Sequence, residues 1–291
     1  MAPPLTAKLD LLVEHVEIAG GSQSLNARLY RSGPLACKRN DLVLFFHGGS
    51  FISGHLNDAD EFLRHVVQCD PNIIVLATSY TLAYVSPFPA AMEDAYAVLV
   101  WACQNKARLG WRGKRLFVAG IEAGANLAAV SAIVARDRGG PDLSGQILIM
   151  PMLDPSLCSS SMRALSNNPV LAELSERCAA GYRAYLPRAT DRSHPYASPL
   201  ALSRLKNLSP ALILTAETDP LCDEAEQYAS RLKDCGVTTT LRYLPVLPMV
   251  KPGDRNEFAD NANAYGEIVA FIAELKHQDD QGDIFLQAHG G

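Results

Sequence analysis

The sequence has no apolar run of membrane-spanning length, no Cys-x-x-Cys pair and little excess charge of either sign. Its 291 residues carry 26 Lys and Arg against 31 Asp and Glu. The resulting net charge of -5 gives no electrostatic reason to bind nucleic acid or an anionic membrane. The N-terminal segment lacks the apolar core of a secretory signal, and no run approaches about 18 apolar residues. We therefore expect a cytoplasmic protein with neither nucleic acid nor membrane as partner.

Cysteine is too scattered along the chain to suggest a metal site. The seven cysteines are odd in number and show no ligand spacing with one another or with histidine. Cys103 and Cys178 lie within helical patterns, which is typical of buried free thiols in a reducing compartment. We therefore expect no metal and no cofactor.

Short apolar runs alternate with longer helical patterns along most of the chain. With 48% hydrophobic and 20% charged residues, the chain can bury a large core. Near-continuous apolar strands joined by helices predict a parallel sheet covered on both faces. Val13–Ile18 and Ala27–Tyr30, separated by two glycines, predict an antiparallel hairpin at one edge. The other predicted strands are Leu42–Phe46, Ile73–Thr78, Leu116–Ala119, Gln146–Met150 and Ala211–Thr215. The predicted helices are Asp58–Gln68, Ala90–Lys106, Ala123–Arg138, Asp223–Asp234 and Asn261–Leu275.

The stretch Asp154–Pro199 interrupts this alternation. It is rich in serine, then helical around Leu171–Tyr185, then irregular, as expected of an insertion that covers one edge of the sheet. No repeats or long linkers divide the chain. We therefore expect a single domain over residues 1–291, with cap elements from about 1–25 and 155–205.

Four segments that carry recognisable motifs lie in order along the chain, at Phe45–Phe51, Ser86–Ala97, Gly120–Leu127 and Pro210–Glu224. Together they resemble the hormone-sensitive-lipase type of α/β hydrolase, a carboxylesterase-like family. Phe45–Phe51 resembles its His-Gly-Gly oxyanion loop, and Ser86–Ala97 resembles the segment after its Asp-Tyr-Arg-Leu-Ala-Pro motif. Gly120–Leu127 is similar to its nucleophile elbow, and Pro210–Glu224 to the turn that carries the aspartate of its catalytic triad. The resemblance implies an α/β-hydrolase fold, with a mostly parallel eight-stranded sheet, helices on both faces and a helical cap.

The same resemblance implies that the oxyanion loop binds a substrate carbonyl. Glycines at 48 and 49 let the backbone approach a carbonyl and direct N–H groups at its oxygen. The N–H of Ala123 is the expected further donor. His47 is expected to shape the loop, and Ser50 is either a polar contact to the ligand or only a small loop residue.

Two of the three residues that ester hydrolysis needs are replaced. The elbow carries Glu122 instead of serine, and alignment from Leu241 onwards places Pro248 where the family has histidine. Asp219 remains at the aspartate position, where it is either catalytic or the start of a turn. His55 and His194 are the only other histidines expected near the pocket, and each is more readily interpreted as a surface residue.

Glu122 has three interpretations. Its carboxylate could cap the following helix, because negative charge is favoured at a helix N-terminus. It could fill the oxyanion hole with its own oxygens. It could also serve as a general acid or base in a dry pocket, sharing a proton with Asp219 if the two acids lie close together.

These residues predict a non-hydrolytic enzyme of the lyase, isomerase or cyclase type. Glu122 would act as general acid or base beside a retained oxyanion hole, on a small, largely apolar carbonyl compound, plausibly in specialised metabolism. The first alternative is a catalytically inactive binding protein, since plant gibberellin receptors share the fold and have lost the family histidine. The second is a weak or atypical carboxylesterase. A homodimer is left open.

Overall fold

The computed structural model describes residues 10–21, 23–164, 168–245 and 262–289, with only the backbone for 262 and 279–289. Eight strands form one sheet in the order β1-β2-β4-β3-β5-β6-β7-β8. Strands β1 and β2 are antiparallel to each other, β2 is antiparallel to β4, and all other neighbours are parallel. The strands are β1 Leu11–Ala19, β2 Ser24–Ser32, β3 Arg39–Phe46, β4 Ile73–Thr78, β5 Trp111–Ile121, β6 Gly145–Ile149, β7 Ala211–Thr215 and β8 Thr239–Tyr243.

Helices cover both faces of the sheet, and each face has its own hydrophobic core. One core lies beneath α2, α4, α6 and α7, and the other lies beneath α1 and α8. The helices are α1 Asp60–Cys69, α2 Ala90–Gln104, α3 Lys106–Leu109, α4 Ala123–Arg138, α5 Ser160–Arg163, α6 Pro169–Tyr185, α7 Cys222–Asp234 and α8 Ala262–His289. This architecture confirms the predicted α/β-hydrolase fold.

Helix α4 is the most deeply buried of the helices in the described part of the chain. All residues from Ala123 to Ala135 are buried, which is typical of a helix enclosed by protein on every side. Its position fixes the turn that precedes it against β3, β5 and β6. None of the helices in the described part of the chain is long and apolar enough to cross a membrane.

The predicted hairpin lies at one edge of the sheet, and the predicted cap region contains α6. β1 lies at one edge of the sheet and pairs with β2 along its whole length, with Leu11 opposite Ser32 and Ala19 opposite Ser24, as the sequence predicts. Helix α6 follows β6 in the chain and packs against the loop after β3. The division of the chain into one domain with cap elements at about 1–25 and 155–205 stays a prediction.

Candidate functional site

A sharp turn between β5 and α4 places Glu122 at the carboxyl end of the central strands. Its φ of 56° and ψ of -112° are rare for a residue with a side chain, and such strain is often found at functional sites. The turn is fixed because the Glu122 N–H donates to the Ile149 carbonyl and the Glu122 carbonyl accepts from the N–H of Met152. A Cβ on Gly124 would lie 2.1 Å from the Phe46 carbonyl oxygen. Only glycine therefore permits this close contact between α4 and β3.

The loop after β3 faces the same point. Gly49 has a φ of 116°, and a Cβ there would lie 2.3 Å from the Ser53 carbonyl oxygen. Ser50 and Phe51 follow with φ values of 54° and 64°, so three consecutive residues adopt positive φ. This conformation directs consecutive backbone N–H groups toward the elbow.

The carboxylate of Glu122 accepts hydrogen bonds from this loop. Its Oε2 accepts from the N–H of Gly49 at 2.8 Å and from the N–H of Ser50 at 3.2 Å. Its Oε1 accepts from the Ser50 hydroxyl at 2.6 Å, and the Cys178 thiol lies 3.7 Å from the same oxygen. Glu122 therefore binds the amide of Gly49, one of the two glycines predicted to direct N–H groups at a substrate carbonyl, and the amide of Ser50, which was not predicted as a donor.

These contacts exclude the helix-cap interpretation of Glu122 and support the interpretation in which its oxygens fill the oxyanion hole. Its side chain makes no capping hydrogen bond to α4, so the helix-cap interpretation is wrong. The carboxylate instead occupies the oxyanion loop and is only 5% exposed. Burial of a charge is costly unless hydrogen bonds compensate it, and the two amides and the hydroxyl provide that compensation. Ala123 begins α4 directly after Glu122 and is fully buried.

His47 holds the loop in place through contacts on both sides of its ring. Its Nδ1 lies 2.7 Å from the Gly48 carbonyl oxygen, and its ring stacks on Tyr80 at 4.4 Å between centroids. The Tyr80 hydroxyl donates to the His47 carbonyl. Burial lowers the pKa of His47, so the neutral ring is favoured.

Helix α6 closes directly over the loop. A Cβ on Gly181 would lie 2.1 Å from the Ser50 carbonyl oxygen, so helix and loop are in backbone contact. The Tyr185 ring stacks on Phe51 at 3.9 Å between centroids. Cys178, Gly181, Tyr182 and Tyr185 are all buried. Their spacing of i, i+3, i+4 and i+7 is that of one helix face, a signal from which the sequence could have identified this contact.

Asp219 lies in the turn before α7. It is 1% exposed, and its Oδ1 accepts from the N–H of Leu221 at 2.8 Å. Because β6 lies between β5 and β7, the strands leading to Glu122 and Asp219 are about 10 Å apart. The shared proton between these two acids stays a hypothesis.

A second buried carboxyl, not predicted as part of the site, lies close by. Glu224 in the first turn of α7 is 1% exposed, and its Oε2 accepts from the N–H groups of Leu153 and Asp154 at 2.6 and 2.8 Å. Burial, against the effect of these hydrogen bonds, raises the pKa of Glu224 to about 8. The neutral acid is therefore favoured at neutral pH.

The histidines considered as substitutes for the lost base have other contacts. His55 is exposed and caps a short helical turn, Leu56–Ala59, by accepting from the N–H of Asn57 at 3.2 Å. His194 is exposed, accepts from the N–H of Tyr196 at 3.1 Å and lines a cleft of about 930 Å³ beside Arg136 and Lys206. Pro248 lies outside the described residues.

Known proteins similar to this chain have the same fold and are named as ester hydrolases. Residues 43–248 match the family model described as an alpha/beta hydrolase fold. The chain is 37% identical over 239 residues to the carboxylic ester hydrolase LipN of Mycobacterium tuberculosis, a match that covers 80% of this chain and 62% of that protein. It is 34% identical over 215 residues to an arylesterase of Saccharolobus solfataricus, covering 74% and 69% of the two chains.

Solved structures give the same result. An esterase from the archaeon Pyrobaculum calidifontis matches with a TM-score of 0.78 and 35% identity, covering 92% of this chain and 84% of the other. A thermostable esterase from Pseudomonas putida matches with a TM-score of 0.80 and 30% identity, covering 93% and 83%.

Proposed function

Because this chain belongs to the α/β-hydrolase family, we propose that it keeps a carbonyl-binding pocket of the esterase type in which Glu122 transfers a proton. The observation that carries the proposal is the Glu122 carboxylate, buried against the Gly49 and Ser50 amides. The names of the relatives favour ester hydrolysis and do not themselves support a lyase, isomerase or cyclase. The proposal therefore rests on the elbow residue.

In this mechanism a substrate carbonyl replaces the carboxylate on the loop. The carbonyl oxygen accepts from the Gly49 and Ser50 amides, which then stabilise the negative charge of an enolate. Glu122 loses two N–H donors in the exchange and becomes a stronger base in a site that excludes water. It takes the proton from the carbon next to the carbonyl, and the electron pair moves to the carbonyl oxygen.

Returning that proton to a different atom completes an isomerisation, and expulsion of a leaving group from the enolate completes an elimination. No acyl-enzyme forms, because a serine nucleophile is absent from the elbow and the aligned position of its histidine is Pro248. The ligand is a small molecule whose carbonyl takes the place of the Glu122 carboxylate on the loop. Both steps fit the lyase, isomerase or cyclase class predicted from the sequence.

A second candidate function is binding without turnover. It is favoured by the hydrogen bonds that Glu122 already makes and by the backbone contact between Gly181 and Ser50, because together they close the site. In that case the ligand would displace the carboxylate and α6 without chemical change.

One NMR assay separates these functions. The probe is ethyl 2-methylacetoacetate in D₂O, whose C2 proton reports proton abstraction and whose released ethanol reports ester hydrolysis. We expect C2 exchange above the rate without protein, no ethanol release, and loss of the excess exchange in Glu122→Gln. Glu61→Gln, an exposed glutamate in α1, is the matched control and should exchange like the wild type.

Each of the other possible NMR results supports an alternative function or refutes the proposed one. Ethanol release by the wild type that decreases in Glu122→Gln would identify the protein as a hydrolase. Binding of the probe with neither exchange nor ethanol release would make it a binding protein. Equal exchange in the wild type and Glu122→Gln would refute the acid-base role.

A further inference from the structure

Two buried polar side chains, one on α6 and one on α7, each have an oxygen without a hydrogen-bond partner among the described residues. The Tyr182 hydroxyl and the Glu224 Oε1 are both buried, and neither has a partner among the described residues. The side chains are 2% and 1% exposed. Leaving such a group unsatisfied in the interior is costly, so a partner is expected when the site is occupied.

Both groups are donors at neutral pH. Burial raises the pKa of Tyr182 well above its ordinary value, and burial raises that of Glu224 to about 8. The Glu224 Oε2 already accepts from two backbone amides, so its proton belongs on Oε1. The charged and titratable groups facing Glu224 are Asp154 after β6, Asp219 after β7 and Tyr182 on α6.

The two donors lie in the same region of the fold as Glu122. Met152 donates its N–H to the Glu122 carbonyl, and the next residue, Leu153, donates its N–H to the Glu224 carboxyl. On the opposite side, Cys178 lies 3.7 Å from the Glu122 carboxylate, and Tyr182 is one helical turn further along α6. Residues at this spacing have Cβ atoms about 5–6 Å apart.

We propose that the Tyr182 hydroxyl and the Glu224 carboxyl form a second oxygen-binding subsite, and that the substrate is therefore a 1,3-dicarbonyl compound. One carbonyl oxygen accepts from the Gly49 and Ser50 amides, and the other accepts from Tyr182 and Glu224. This inference rests on the proposed function and names its substrate class. A tyrosine hydroxyl beside a neutral carboxylic acid is an effective donor pair for a developing enolate.

The arrangement suits removal of the proton between the two carbonyl groups. Glu122 takes that proton, the C–H bond breaks, and its electron pair is delocalised onto both oxygens. Each oxygen then has donors positioned before the charge develops. In D₂O the acid formed on Glu122 exchanges its proton with solvent and returns a deuteron to the same carbon, so the atoms balance without a further reactant.

The test compares two tyrosines that differ in position. Tyr182→Phe removes the hydroxyl of the subsite, and Tyr228→Phe removes another buried hydroxyl without a described partner, on α7. Affinity is measured by ligand-observed NMR for ethyl 2-methylacetoacetate and for ethyl 2-methylbutanoate, which lacks the second carbonyl. We expect Tyr182→Phe to bind the dicarbonyl about fivefold more weakly. We expect Tyr228→Phe to match the wild type, and the single ester to be insensitive to both.

Glu224→Gln gives an independent arm, because an amide keeps an acceptor for the two backbone N–H groups and a donor for the ligand. We expect it to bind the dicarbonyl at neutral pH like the wild type. Wild-type affinity should fall as pH rises through about 8, where Glu224 loses its proton, and Glu224→Gln should lack this fall.

Each result bears on one proposal. Equal dicarbonyl affinity in Tyr182→Phe and Tyr228→Phe, or no binding of the dicarbonyl by the wild type at millimolar concentration, would overturn the subsite. Exchange that still depends on Glu122 would leave the proposed function standing in that case. Binding that depends on Tyr182 without any exchange would retain the subsite and reject proton transfer.

Discussion

At the scale of single residues, the main feature of the site is the set of hydrogen bonds that stabilises the buried carboxylate of Glu122. Glu122 is held by two backbone amides and one hydroxyl, all from residues more than seventy positions earlier in the chain. The amides belong to the backbone, so truncating a side chain leaves them in place. The Ser50 hydroxyl can be removed, and it makes the shortest of the three contacts.

Ser50→Ala is expected to lower the free energy of unfolding by about 1.5–3 kcal/mol. The variant leaves one oxygen of a buried carboxylate without its hydroxyl donor, and hydrogen bonds to charged groups contribute this amount. The measurement is equilibrium unfolding in urea at neutral pH.

Ser24→Ala is the matched control, since its hydroxyl donates to Glu17 at the same 2.6 Å but is exposed. We expect that variant to change stability by only a few tenths of a kcal/mol, because water replaces the lost donor. A similar loss of unfolding free energy in both variants would mean that burial does not strengthen the hydrogen bond between Ser50 and Glu122.

At the scale of elements, the site exists because α6 and the loop after β3 meet without a side chain between them. Gly181 permits this contact, and the stacked Tyr185 and Phe51 rings lie beside it. The same face of α6 presents Cys178 to Glu122. Helix α6 is therefore part of the site's interior surface.

Gly181→Ala should destabilise the protein by about 1–3 kcal/mol. Its Cβ would lie 2.1 Å from the Ser50 carbonyl oxygen, so α6 or the loop must shift, as in other overpacked interiors. The melting temperature should fall by about 2–4 °C for each kcal/mol lost, measured by differential scanning calorimetry.

Gly266→Ala serves as the control in α8, where a new Cβ meets no atom within 4 Å. That variant should be stabilised by about 0.5–1 kcal/mol, because alanine favours the helix over glycine. If Gly181→Ala were also stabilising, α6 would not be in backbone contact with the loop.

At the scale of the whole molecule, the sequence predicted the elbow and most of the sheet, although β8 was not among the predicted strands and β5 begins at Trp111 rather than Leu116. Apolar strands and amphipathic helices are local patterns, and the predicted helix Ala123–Arg138 has the observed bounds. The contact between Glu122 and Ser50 depends on how β3 and β5 are placed by the fold, and no local pattern contains that distance. The same is true of Glu224, whose partners Leu153 and Asp154 are about seventy residues away.

The contribution of Glu224 to the free energy of unfolding should fall as pH rises from about 4.5 to about 8. Its pKa is raised from 4.5 to about 8 in the folded state, so the folded protein binds more protons than the unfolded chain within that window. The free energy of unfolding then decreases as pH increases, and the loss is complete above about 8. Urea unfolding at a series of pH values measures this slope.

Glu224→Gln should remove this contribution, since the amide does not titrate. A slope in the variant equal to that of the wild type would mean that another group is responsible. His47 acts in the opposite direction, because its lowered pKa makes the folded state lose stability as pH falls below the ordinary histidine value of 6.5.

The proposed function requires a carbonyl ligand to replace the Glu122 carboxylate on the Gly49 and Ser50 amides. The most direct measurement is the ¹H–¹⁵N spectrum of these two amides during titration with ethyl 2-methylacetoacetate. We predict that both amide protons move upfield as the probe binds, because a neutral carbonyl accepts a weaker hydrogen bond than a carboxylate. Unchanged Gly49 and Ser50 resonances in protein saturated with the probe would contradict the account.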